Sequence, residues 1–145
     1  MSSISIIEKW QPAPDSPMAR MEAKRVEAAE ELIRLREVHE ATMRKMAAAR
    51  EIISRTGAYT DPQRLAEAMG LLPALVSIYN AQLTAEERTE KELDQNTKSL
   101  DRMDRELEHF ENMISSADPT RRADFQKALA DARQRILGLA EPVTA

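Results

Sequence analysis

Residues 72–114 read LPALVSIYNAQLTAEERTEKELDQNTKSLDRMDRELEHFENMI, and their spacing decides the fold. Taken at alternating steps of three and four, they give Leu72, Leu75, Tyr79, Gln82, Glu86, Thr89, Leu93, Asn96, Leu100, Met103, Leu107, Phe110 and Ile114. That is a heptad seam held for about six repeats, the mark of a long helix that needs a partner helix. Its second half is apolar except for Asn96, and its middle (Gln82, Glu86, Thr89) is polar. The seam therefore divides into an apolar corner at Leu72 to Tyr79, a weakly specified neck at Gln82 to Thr89, and a stable end from Leu93 to Ile114. A polar Asn at a seam position commonly fixes register and partner number, which makes Asn96 a candidate register residue. The competing reading places it at the wet edge of the seam.

The partner lies upstream. Ser16 can cap a helix and Pro17 suits its first position. The apolar stripe that follows is Met18, Met21, Ala28, Leu32, Leu35, His39, Met46, Ala49 and Ile53, widened by Val26, Ile33, Val38 and Ile52. Gly57 is the expected stop. Asp61-Pro62 opens a short helix that Gly70 and Pro73 should interrupt, leaving a buried corner over 57–73 that plugs the closed end of a hairpin. A third helix starts at Asp118-Pro119, carries the seam Phe125, Leu129, Ala132, Ile136 and Leu139, and ends at Gly138 and Pro142. Its natural place is against the open end of the hairpin, over Met18 to Leu35 and Leu100 to Ile114; the alternative is packing between protomers.

Residues 1–17 are expected to be an extended arm, since Pro12, Pro14 and Pro17 each fix φ. The arm holds Ile4, Ile6, Ile7 and Trp10, apolar groups that are costly to leave in water. It reads either as a loose terminus or as a peptide that docks on a neighbouring subunit or partner with Trp10 as its anchor. The expected fold is all-α: an arm (1–17), a long antiparallel helical hairpin (18–117), a C-terminal helix (118–140) and a loose tail (141–145).

Composition supports this and narrows the chemistry. The 145 residues include only three Gly and five aromatics, so the core should be thin and aliphatic. Cysteine is absent, which removes disulfides, thiol catalysis and thiolate metal sites, and suits a reducing compartment. The net charge of −4 makes nucleic acid or an anionic membrane a poor default partner. No basic leader and no span of roughly 18 apolar residues occurs, so a soluble, cytoplasmic chain or a component of a particle assembled there is expected.

Charge is distributed unevenly. Residues 86–112 carry ten acidic and five basic side chains, and 18–56 carry nine basic and seven acidic. The third helix is basic, with Arg121, Arg122, Lys127, Arg133 and Arg135. These clusters are expected to complement the acidic stretch, and an external acidic partner or nucleic acid ranks behind that.

Catalytic signatures are missing. There is no Gly-x-Ser-x-Gly, no phosphate loop and no His-Glu-x-x-His. Glu106-Leu-Glu-His109 has di-iron spacing, but His39 has Arg36 where a second Glu should be. A turn near residue 65 would put His39 opposite residue 91 or so, ~27 Å from His109 along the axis, and both are expected to be solvated. No catalytic residue, metal or cofactor is expected.

The expected function is a non-catalytic structural or assembly protein, a homo-oligomeric coiled-coil subunit or adaptor in a larger complex. In organisation the hairpin resembles the stalk family of flagellar and type III export machines and small helical virion or phage-assembly proteins. The alternative is a partner-binding regulator or secretion chaperone that uses the apolar corner 69–79, with Leu71, Leu72, Leu75, Val76 and Tyr79 as its contact residues. Insertion of that corner into a membrane ranks below both.

Overall fold

The computed structural model describes residues 5–55 and 61–139. Four helices follow in order: α1 (Ile6–Trp10), α2 (Pro17–Ser54), α3 (Pro62–Ser116) and α4 (Pro119–Leu137), with no strand among the described residues. The fold is an all-α helical hairpin in which the two long helices α2 and α3 pack together.

The two seams are the inward faces. All thirteen residues from Leu72 to Ile114 on the seam are buried or half-buried, and so are all nine of the α2 stripe. The flanking Val26, Ile33 and Val38 are instead exposed, at 40%, 59% and 42%. A narrow seam holds one partner helix, and residues one step outside it stay wet.

Caps behave as their chemistry demands. The Ser16 hydroxyl accepts from the Ala19 N–H at 3.2 Å, and the Asp61 carboxylate accepts from Gln63 N–H at 3.0 Å. Asp118 accepts from Arg121 N–H at 3.0 Å, and Gly138 closes α4 in the left-handed region at φ 65°. A side chain at 138 would be strained there and would also meet Ser16 and Ala13 at 3.2 and 3.3 Å.

Two expectations need correction. The corner helix does not break off at Gly70 and Pro73: α3 runs unbroken through both. Pro73 deletes one backbone donor, a cost of about 3 kcal/mol in a helix interior, but the inward contacts of Leu72, Leu75 and Tyr79 hold the same turns against α2. Nor is this stretch a buried plug, since Met69, Leu71 and Ile78 are 57%, 50% and 47% exposed. Gly57 and most of the connection lie outside the described residues. The arm is not extended throughout either. Residues 6–10 form α1, capped by the Ser5 side chain and closed by Gln11 at φ 48°. Pro12 and Pro14 lie beyond it and so do not oppose it. Ile4 and the 141–145 tail lie outside the described residues.

The chain divides into two compact units: Met1–Glu27 with Glu92–Ala145, and Ala28–Lys91. The first is built on Trp10, Met18, Leu100, Leu107, Ala132, Ile136 and Leu137, with Ile6, Met21, Met103, Phe110, Leu129 and Leu139 packed around them. Thus α4 covers its own chain's helices. The Ala13 N–H donates to the Leu137 carbonyl at 2.8 Å, which ties the segment before α2 to the end of α4. Acidic side chains of α3 meet basic ones here: Glu106 pairs with Arg135, and Asp104 and Glu108 with Lys9. Among the described residues the second unit has two helical segments and a thin core of Ala28, Leu32, Met46, Ala49, Ala68 and Leu75, with Thr42 and Thr89 also buried.

Candidate functional site

Residues 68–85 of α3, AMGLLPALVSIYNAQLTA, contain no charged side chain. Elsewhere charge is dense: 21 basic and 25 acidic residues in 145 would put about six in any window of that length. Met69, Leu71 and Ile78 project from this stretch into water. Beside it lies a shallow groove of ≈ 280 Å³, bordered by Lys45, Ala48 and Ile52 of α2 and Arg64, Ala68 and Leu71 of α3. Concentrated exposed apolar area of this kind marks contact sites far more often than chemistry.

The sequence-derived contact residues separate into three groups. Leu75 is buried, and Leu72, Val76 and Tyr79 are half-buried; three of these four belong to the inward seam. Leu71 faces out and Ile78, two turns on, shares its side, while Met69 is exposed on the other side of the seam, about 160° round the helix; the heptad reading singled out neither Met69 nor Ile78. Ile6, Ile7 and Trp10 sit on α1, where Trp10 is only 5% exposed and Ile6 packs on the same core. The Trp10 indole N–H donates to Asp104 Oδ1 at 2.8 Å. In this structure its anchor role is therefore intramolecular: the core of the first unit takes the indole that an external partner would otherwise receive.

A polar layer crosses the second unit at the neck. His39 Nδ1 lies 2.7 Å from Glu86 Oε1, with both side chains about six-sevenths buried, and the Tyr79 ring meets His39 edge-on at 4.7 Å. Arg36 bonds Glu90 at 3.0 Å one turn away. These pairs have midpoints of 62.5 and 63 in residue number, so the register centres nearer 63 than 65, as follows from α3 starting at Pro62 without a separate corner helix. His39 is consequently a paired seam residue and not a solvated one. The neck is also more closely specified than its polarity implied. An ionised Glu86 carboxylate can only accept, so in this contact the imidazole Nδ1 donates. Nε2 and Gln82 Oε1 are buried without a partner among the described residues.

Elsewhere the ionisable groups act as braces. Lys9 is held above its ordinary value, chiefly by its hydrogen bond to Glu108 and then by Asp104. Asp118 is held below its ordinary value, chiefly by the Arg121 N–H and then by the Thr120 hydroxyl. His109 is exposed and tilts against Phe110, in the other unit from His39. Among the described residues no three His, Cys, Asp or Glu side chains converge as metal ligands, and no helix is long and apolar enough to cross a membrane. Asn96 is half-buried on the inward seam. Comparison with protein-family models, curated protein sequences and solved structures finds no match to this chain.

Proposed function

We propose that this chain is a non-catalytic assembly protein, a helical-hairpin subunit or adaptor that joins a larger protein complex through the uncharged face of residues 68–85. The observation that carries the reading is the exposure of Leu71 and Ile78 on one side of α3 within eighteen consecutive uncharged residues of an otherwise highly charged chain. Exposed apolar side chains without charged neighbours lose little on desolvation and gain about 25 cal/mol for each Å² covered. The role is that of a structural part, for example of a secretion machine or a virion. A cysteine-free composition suits the reducing cytoplasm, or a particle built there.

A second reading, a regulator or secretion chaperone that clasps one client, draws on the ≈ 280 Å³ groove beside Leu71. The test for both is capture from the native host with the full chain and with Ile78→Glu, followed by identification of bound proteins. An assembly part should retain several structural proteins in fixed proportion and lose them in the variant; a chaperone should retain one client. Identical capture by wild type and variant would remove this face from either role.

A further inference from the structure

We propose that the uncharged face of the second unit is where a second copy of this chain docks, so that two helical hairpin segments close into a four-helix bundle. The inference rests on the protein-contact reading above and names the partner.

Its basis is a second pair of heptad stripes. On α3, Leu71, Ala74, Ile78, Ala81 and Ala85 repeat at three-four spacing, each one residue before an inward seam position. On α2, Val38, Ala41, Lys45, Ala48 and Ile52 do the same, each one residue before His39, Thr42, Met46, Ala49 and Ile53. One residue back is about 100° round a helix. On two antiparallel helices that face each other, that rotation carries both stripes to the same side. The groove agrees, because Lys45, Ala48 and Ile52 border it together with Leu71 and Ala68. Leu71, Ile78 and Val38 are 50%, 47% and 42% exposed, and Ala41, Ala48, Ala74 and Ala81 are exposed as well. A two-helix layer with apolar stripes on one side is half of a four-helix bundle.

The pattern favours a copy over an unrelated partner. Large and small residues alternate from Leu71 to Ala81 on the α3 stripe, so a two-fold axis near residue 76 sets Leu71 over Ala81 and Ile78 over Ala74. An isologous interface requires that kind of self-complementarity. The α3 stretch brings no like charges together when two copies meet, Lys45 is the one charge on the α2 stripe, and Arg64 and Glu67 border the groove with opposite signs. A face ~27 Å long and ~20 Å wide on each copy gives roughly 1,100 Å² in total, at the lower edge of specific interfaces. The dimer should therefore be weak, with dissociation in the micromolar range.

Sedimentation equilibrium on the full chain, from ~1 to ~300 µM, tests it. Wild type should pass from monomer to dimer, and Ile78→Glu should raise the dissociation constant at least about tenfold with helical content unchanged. A wild type that stays monomeric throughout, or an Ile78→Glu dimer as tight as wild type, overturns the proposal. A gentler check uses the absence of native cysteine: a mixture of Leu71→Cys and Ala81→Cys chains, whose positions face each other across the axis, should oxidise to mixed disulfide-linked dimers, and a mixture of Leu71→Cys with Ala123→Cys on α4 should not. Equal cross-linking in the two mixtures counts against the face. If wild type is monomeric yet Ile78→Glu still loses its captured proteins, self-docking alone fails; if the variant alters neither mass nor capture, the assembly reading fails with it.

Discussion

Replacing Trp10 by Ala should cost about 4 kcal/mol, because α1 is held by its tertiary contacts and not by its own helicity. Five residues are far too few for a helix to persist alone in water. The indole is 5% exposed in the core that includes Met18, Leu100, Leu107 and Ile136. Truncating a buried Trp to Ala removes about 3–5 kcal/mol through lost transfer energy and the cavity left behind. The lost hydrogen bond to Asp104 adds little beyond this. Lys9 still bonds the same oxygen at 3.0 Å, and the Asp104 side chain is 24% exposed, so no carboxylate is orphaned. For a domain of this size, with total stability of roughly 5–15 kcal/mol, the loss lowers the melting temperature by about 10 °C. Trp10→Phe separates the two contributions, since it keeps most of the ring and removes only the donor; about 1 kcal/mol is expected. Circular dichroism melts and urea titrations on all three proteins give the values. Trp10 is the sole tryptophan, so wild-type fluorescence reports directly on release of α1 and should change together with helix loss. A cost below about 1 kcal/mol for Trp10→Ala would mean that α1 is not part of the folded unit in solution, and would refute the reasoning.

Gly70→Ala should stabilise by roughly 0.5–1 kcal/mol in thermal melts, since Gly70 is inside a helix and a Cβ there meets nothing within 4 Å. Gly138→Ala should destabilise in the same assay, because it combines a positive φ with contacts at 3.2 and 3.3 Å. The pKa of Asp118 is depressed, so its capping contribution is present above the ordinary value of 3.8 and lost as pH falls through the folded value. Amide exchange at the start of α4 should therefore quicken in acid for wild type and less so for Asp118→Asn, which caps without titrating. Asn96→Leu should raise the melting temperature and broaden the range of oligomer masses if Asn96 fixes register; a single mass with an unmoved melting temperature would leave it no such role.

The parts of the fold that follow from periodicity were legible in the sequence. A stripe at three-four spacing has to face something, and Leu72 to Ile114 and Met18 to Ile53 face each other. Caps were equally readable at Ser16, Asp61 and Asp118, because their chemistry is local. What failed was inference from single residues. Pro73 and Gly70 look like breaks, yet packing over the adjoining turns outweighs the lost donor and keeps α3 whole. Ile6 to Trp10 lacks the length to announce a helix; it forms because a distant core, Leu100 to Leu107 and Ile136, receives its indole. His39 lay on the inward stripe all along, and that position, more than its residue type, accounts for its pairing with Glu86.

The candidate contact face illustrates the same point about position. Residues 69–79 are the most apolar stretch of the chain, and apolarity alone reads as burial, which is how the plugged corner arises as an expectation. A two-helix unit can bury only one stripe of each helix. Once the inward seam takes Leu72, Leu75 and Tyr79, the positions one residue earlier have no helix of the same unit left to cover them. In the first unit α4 supplies additional cover; in the second the described residues supply none, and Leu71 and Ile78 remain half in water. The excess apolarity of this segment is more than a two-helix packing can use, and that excess, rather than any single residue, is what leaves Leu71 and Ile78 uncovered and makes this face the candidate contact site.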